Sequence, residues 1–150
     1  MFFNSQKTRD EHFMKYALSE AKIAFREGEI PIGAVIEHNG IIISRAHNLT
    51  ERLTDVTAHA EIQAITSAAN KLGGKYLTDC TLFVTVEPCV MCAGAIAWAQ
   101  LKRIVYGCCD VKHGYKIYAP NALHPKTKVI SGIMEKEAKE LMQNFFKQRR

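Results

Sequence analysis

TLFVTVEPCVMCAGAIAWAQLKRIVYGC, running from Thr81 to Cys108, decides the architecture of this chain. Thr81 to Val86 is rich in β-branched and aromatic residues, the composition of a strand. Pro88 suits the first turn of a helix, where the missing amide hydrogen is not needed. That helix runs from about Cys89 to Gln100, and Arg103 to Cys108 returns as another strand. Val90, Met91, Ala93, Ala95, Ile96, Ala97 and Trp98 leave the helix almost without a polar face. A helix that is apolar all round is buried on every side. It belongs between the sheet and another helix, or in a subunit interface.

Working outward, Asn39-Gly40 is a strong hairpin signal. It joins a strand over Ile32 to Glu37 to a partner over Ile41 to Ala46. Ahead of it, Thr8-Arg9-Asp10-Glu11 resembles a capping box. Phe13, Ala17, Ala21, Ala24 and Phe25 then recur at helical spacing to about Glu27, and Gly28 stops the helix. A polar loop from Asn48 to Asp55 leads into a helix over about Ala58 to Leu72, ended by Gly73-Gly74. A short fifth strand is expected near Val129-Ile130, and a last helix over about Met134 to Lys147. A hairpin followed by β-α-β alternation points to a layered α/β domain with a mixed sheet. The segment from Asp110 to Thr127 has no clear period and mixes basic with aromatic side chains. It reads either as a surface loop or as a lid or nucleic-acid contact.

The 150 residues suit one domain, large enough to bury a core without staples. Hydrophobic residues make up 47% and charged residues 23%, which places the chain among globular proteins. The longest apolar stretch, Val90 to Ala99, is too short to cross a bilayer, so no membrane partner is expected. Met1 to Gln6 lacks the apolar core of a signal peptide. Cys80, Cys89, Cys92, Cys108 and Cys109 are odd in number and irregularly spaced. A reducing, cytoplasmic setting is expected, in which cysteines more often bind metal or act in catalysis than pair. Net charge is +5; residues 126–150 carry seven Lys or Arg against three Glu, leaving little excess elsewhere. A basic end favours an anionic partner such as nucleic acid, although on charge alone a solvated helix face is the preferred reading.

His59-Ala60-Glu61 alone means little, and Cys89-Val90-Met91-Cys92 alone is ambiguous between metal, redox and nothing. Their placement narrows the reading. His59 sits at the expected start of one helix, and Cys89 and Cys92 in the first turn of the next. Each helix follows a strand, so both N-termini should emerge at the same edge of the sheet, where such folds bind ligands. One imidazole and two thiolates are a sound zinc set, and three protein ligands leave the fourth position open, as in a catalytic rather than a structural site. Zinc lowers the pKa of water to about 7, and Glu61 is then free to act as proton acceptor and donor. A closed zinc site would need a fourth ligand, for which Cys80, Cys108, Cys109 and His113 are the candidates. A redox pair would leave His59 and Glu61 without a role. Cys80, Cys108 and Cys109 read rather as small buried hydrophobes.

The combination His-x-Glu with Pro-Cys-x-x-Cys is the signature of the zinc-dependent nucleobase deaminases. Thr57-Ala58-His59-Ala60-Glu61-Ile62 and Glu87-Pro88-Cys89-Val90-Met91-Cys92-Ala93-Gly94-Ala95 resemble the bacterial tRNA adenosine deaminases in particular. Ile30-Pro31-Ile32-Gly33-Ala34-Val35, Val105-Tyr106-Gly107 with Asp110, and Phe145-Phe146 extend the resemblance over nearly the whole chain. Cys108-Cys109 departs from the family pattern, and Ala95-Ile96-Ala97-Trp98-Ala99 is similar to a piece of guanine deaminases. The resemblance implies a three-layer α-β-α, cytidine deaminase-like fold with a five-stranded mixed sheet, a Zn2+ cofactor and a homodimer. It implies hydrolytic deamination of the wobble adenosine to inosine in a tRNA anticodon stem-loop, usually of an arginine tRNA. Under it, Asn48 hydrogen-bonds the base, the backbone of Ala60 helps to hold it, Ile30 packs against the ring and Asp110 lies close to the flipped nucleotide. From the residues alone, Asn48 equally caps a turn, Ile30 is ordinary core and Asp110 ends a strand. In the C-terminal helix Phe145 packs on Leu141, while Phe146, Arg149 and Arg150 are left to meet RNA. Two other functions fit the same motif: a free guanine or cytosine deaminase, and a non-catalytic zinc-stabilised RNA-binding module.

Overall fold

The computed structural model describes residues 3–149. Ten elements follow in chain order: α1 (Gln6–Arg26), β1 (Gly33–His38), β2 (Ile41–His47), α2 (Ala60–Leu72), β3 (Cys80–Val86), α3 (Val90–Ala99), β4 (Arg103–Cys108), α4 (Tyr115–Tyr118), β5 (Lys128–Ile130) and α5 (Glu135–Gln148). The five strands form one sheet in the order β2-β1-β3-β4-β5. β1 runs antiparallel to both of its neighbours, while β3, β4 and β5 are parallel. Four strands therefore point the same way and only β1 is reversed. The carboxyl ends of β2 and β3 share one edge of the sheet as a result, and that edge receives the N-termini of α2 and α3.

The expected mixed sheet of five strands in three layers is present. α1 and α5 pack on one face, and α2 with α3 on the other. Alternation along the central strand supplies both cores. Leu82 and Val84 join Ile36, Ile96 and Ile104 beneath α2 and α3, and Phe83 joins Phe13, Met14, Val35 and Val105 beneath α1. Cys80 to Val86 is buried along its whole length, as a strand covered on both faces must be. Asn39 and Gly40 both take positive φ, 52° and 81°, the pair of conformations a two-residue hairpin turn requires. Gly33, at the start of β1, has no room for a side chain: a Cβ there would collide with the Ala17 carbonyl and the Ala21 amide of α1. The buried Asp10 carboxylate of α1 takes both guanidinium nitrogens of Arg103, at 3.2 and 2.9 Å, and locks that helix to β4.

Four expectations need correction. The first helix begins at Gln6, two residues before the expected box. Ser5 is its cap and accepts the Thr8 amide at 3.1 Å, so Thr8 to Glu11 lie inside the helix. The segment from Asp110 to Thr127 is not featureless; it contains the single turn α4, too short to show a period. α3 is not buried on every side of this chain. Cys92, Ala93, Ile96 and Ala99 face inward, while Val90, Met91 and Trp98 are exposed, Trp98 at 84%. Arg149 is not free: its guanidinium donates to the Gly28 carbonyl at 2.9 Å and lies over the Phe145 ring, whereas Phe146 is exposed. Arg150 lies outside the described residues. No helix among the described residues is long and apolar enough to cross a membrane.

Candidate active site

His59 and Cys89 occupy the N-cap positions of α2 and α3, yet neither side chain caps its helix. Ser, Thr, Asp or Asn would normally stand there and satisfy an amide. These two side chains instead turn toward one another. His59 Nδ1 lies 3.7 Å from Cys89 Sγ and 3.5 Å from Cys92 Sγ, and the three atoms all fall within 4.8 Å of one another. A tetrahedral zinc ion, with nitrogen at about 2.0–2.1 Å and sulfur at about 2.3 Å, spaces its nitrogen and sulfur ligands by about 3.6 Å. The donor set and its spacing thus fit such an ion. Cys80, Cys108, Cys109 and His113 do not join the group, so among the described residues it stays at three donors. Cys80 and Cys108 are buried in the core, whereas Cys109 is exposed, contrary to the expectation that it is a buried hydrophobe.

The electrostatics follow from this crowding. A hydrogen bond from Cys92 draws the Cys89 thiol down to about 4, with His59 assisting against the cost of burial. That same hydrogen bond, together with burial, drives Cys92 strongly upward. The Cys89 partner raises the imidazole of His59. Both helix N-termini present their positive ends to the group, which further favours thiolate. Glu61, in the first turn of α2, is buried, and that burial pushes its carboxyl up to about 7.

A cleft of about 450 Å³ opens beside the cluster, a volume suited to a small ligand such as a purine. His59, Ala60 and Glu61 line it from α2, Ile30 and Asn48 from the segments flanking the hairpin, and Val56 from the loop beyond. Asn48 meets both readings of it. It is buried, and its Oδ1 accepts the Thr50 amide at 3.3 Å as a turn cap, while its side chain also lines the cleft. Ile30 is 36% exposed, so it is wall rather than core. Asp110 is not among the residues lining the cleft. One of its oxygens accepts the amides of Lys112 and His113, at 3.1 and 3.0 Å, and shapes the loop after β4.

Two carboxylates that sequence reasoning missed hold the surroundings in place. Glu87, at the end of β3, is buried and accepts the amides of Asp110 at 3.1 Å and Lys116 at 3.2 Å, drawing that loop against the turn that carries Cys89. Gly114 packs directly on the Glu87 carboxylate and bridges to Cys89. Glu29, 1% exposed, accepts the amides of Glu51 at 3.0 Å and Arg52 at 2.8 Å. A glutamate ahead of Ile30-Pro31 carries no signal that its oxygens will meet amides 22 and 23 positions away.

Comparison with known proteins bears directly on this arrangement. A family model described as MafB19-like deaminase matches residues 8–150. A tRNA-specific adenosine deaminase of Aquifex aeolicus (strain VF5) is 44% identical over 144 residues, covering 93% of this chain and 95% of that protein. A solved structure from work on A-to-I editing by tRNA:A34 deaminases at the wobble position is 43% identical, with a TM-score of 0.81, covering 87% of this chain and 98% of the other. The guanine deaminase of Bacillus subtilis is 42% identical with a TM-score of 0.63, but over only 66% of this chain and 64% of its own.

Proposed function

From the premise that this chain belongs to the MafB19-like deaminase family, in which its near-full-length relatives are tRNA-specific adenosine deaminases, we infer that it converts the wobble adenosine of a tRNA anticodon to inosine. One observation carries this assignment: His59, which belongs to the three-donor group, and the buried Glu61 carboxylate line the same cleft of purine size. The reaction is hydrolytic. Water adds its oxygen to C6 of adenine, the bond from C6 to the exocyclic nitrogen breaks, and ammonia leaves.

His59, Cys89 and Cys92 would hold a Zn2+ ion. Such an ion supplies the acidity that makes water a nucleophile at neutral pH. Glu61 carries the protons: it takes one from the attacking water and delivers it to the ring nitrogen next to C6, then takes the second from the hydroxyl now on C6 and gives it to the departing amine. Asn48 orients the base through its amide, the backbone of Ala60 holds the base edge, and Ile30 covers a ring face. All three line the cleft. Asp110 acts further out, through the loop it shapes, on the nucleotide that carries the base. An anticodon loop presents single-stranded nucleotides that can be splayed out and inserted into such a pocket. The basic C-terminal end, with seven Lys or Arg within residues 126–150, faces that polyanion. We read the whole chain as a single deaminase domain acting in the cytoplasm.

We also propose a homodimer. Met91, Gly94, Ala95 and Trp98 recur at helical spacing along the outer side of α3, and among the described residues no other element covers Trp98. A second copy supplies the missing cover.

The deciding experiment incubates the zinc-loaded protein with unmodified, transcribed tRNA beside free guanine and cytosine. Inosine at the wobble position, with the free bases untouched, is the expected result. Turnover of guanine or cytosine with inert tRNA would overturn the assignment. Elemental analysis of protein purified without chelator should find close to one zinc per chain, since the described residues offer one three-donor group.

A further inference from the structure

We propose that Glu29 is a positioning residue for substrate binding: it holds the loop between Leu49 and Ala58 in place as the outer wall of the cleft. The role rests on the deaminase reading of that cleft, but the geometry behind it does not. Thr50, Glu51, Thr54, Asp55 and Val56 all line the cleft from this loop. Residues 51–57 are nevertheless exposed without interruption, and Val56 is 84% exposed. Burial therefore does not set where the wall stands. Hydrogen bonds must do so instead.

Within the loop those bonds are local. Leu49 donates to the Ala58 carbonyl at 3.0 Å and closes the base, while Leu53 donates to Leu49 and Asp55 to Thr50. Thr54 sits at φ 49°, a left-handed conformation that a β-branched residue adopts only when its surroundings impose it. These bonds define the loop's shape but do not attach it to the rest of the protein. The backbone attachment comes from Glu29, whose two carboxylate oxygens each take one amide, Oε1 from Glu51 and Oε2 from Arg52; the exposed Arg52 guanidinium adds only a 3.9 Å ion pair to Glu27. The carboxylate itself stands on firm ground. The Glu29 amide donates to the Ala24 carbonyl at the end of α1, and the adjacent Gly28 carbonyl is held by Arg149 at the end of α5. Ile30, the next residue, is also a cleft wall. One short segment thus supplies one wall directly and secures the other by hydrogen bonding.

The kinetic consequence follows from what the loop does not contain. Glu61 and the metal-binding side chains ride on the first turns of α2 and α3, not on this loop. A wall that contacts ground state and transition state alike alters KM and leaves kcat. Glu29→Gln keeps the shape but offers one acceptor oxygen for two amides, and its NH2 group faces an N–H. Losing one charge-assisted hydrogen bond corresponds to about tenfold.

The test uses the zinc-loaded full chain in two arms. In the first, hydrogen exchange without substrate compares wild type with Glu29→Gln. Exchange across residues 50–55 should rise about tenfold, with α2 unchanged. In the second, tRNA deamination should show KM raised about tenfold, kcat within about twofold and zinc content unchanged. Unchanged exchange in the loop, a loss of kcat at constant KM, or a loss of zinc would each overturn the proposal. If Glu29→Gln does not fold, Glu29→Asp takes its place. It withdraws both oxygens by one methylene and should show the same pattern at smaller size; wild-type behaviour would count against the brace. The first arm needs no turnover, so failure of the deaminase reading leaves it decisive for the loop.

Discussion

Glu61 stands two residues past His59 in the first turn of α2, so carboxylate and imidazole reach the cleft on one rigid element. Glu61→Gln preserves volume and leaves the three donors alone while removing the group that we propose takes and returns the proton. The variant should bind zinc at the wild-type level and lose roughly 10²- to 10⁴-fold in kcat. Metal analysis and single-turnover inosine formation on the same sample check this, and activity within about tenfold of wild type would remove Glu61 from the proton pathway. At this scale the sequence was legible wherever residue type and chemistry coincide. His59, Cys89 and Cys92 do converge; Asn48, Ile30 and Ala60, which line the cleft with Glu61, were named by the family resemblance and not by their residue types. Asp110 does not line it; its short side chain finds two amides of its own loop first. Glu29 and Glu87 were invisible because their partners are backbone amides from distant segments. A main-chain donor leaves no mark in a sequence, and nothing local separates a buried glutamate of this kind from a solvated one.

At the level of elements, the sheet's polarity builds the site. The Asn39-Gly40 turn reverses β1, so β2 runs the same way as β3, and the helices that follow both strands begin at one edge. The hairpin signal and the two strand-helix junctions already contained that geometry. Less legible were features that depend on a few atoms: Ser5 as the cap of α1, and α4, whose four residues are too few for periodicity. The seating of α1 on the sheet also lies beyond pattern reading, because it turns on the absence of one side chain. α1 crosses β1 at backbone contact over Gly33, with Ala17, Ala21 and Ala24 buried against the sheet. Gly33→Ala inserts a methyl group where rigid backbone, not a flexible side chain, already stands. Relief requires lifting the helix from β1, which separates the core of Phe13, Met14 and Phe83. Overpacking at such a contact should cost about 3 kcal/mol or more. Urea denaturation would read this as a lowered midpoint at unchanged slope, and a loss below about 1 kcal/mol would show that α1 can shift freely.

Across the whole molecule, α3 is the element whose composition a single chain does not satisfy. Its inward face, Cys92, Ala93, Ile96 and Ala99, is buried beneath the sheet and α2. Its outward stripe is equally apolar, and Trp98 stands 84% exposed. An isolated exposed leucine needs no account, but an aromatic residue on a helix with no polar face does. The sequence already offered two places for such a helix, between the sheet and another helix or in a subunit interface, and the exposed stripe is the reason we propose the second for this face. In an isologous dimer each substitution acts twice, once from either copy. Replacing a central aromatic anchor commonly costs at least 2 kcal/mol, so Trp98→Glu should weaken dimerisation by about 10³-fold, with added repulsion if the two carboxylates face one another. Trp98 lies six residues beyond Cys92, about 9 Å along the helix axis, so the metal group should remain intact. Sedimentation velocity over a concentration series should find a dimer for the wild type and a monomer for Trp98→Glu, with equal zinc content in both. A variant that stays dimeric at wild-type affinity would place the interface on another face. A wild type that stays monomeric at high concentration would leave the outer side of α3 for the RNA or for a different protein.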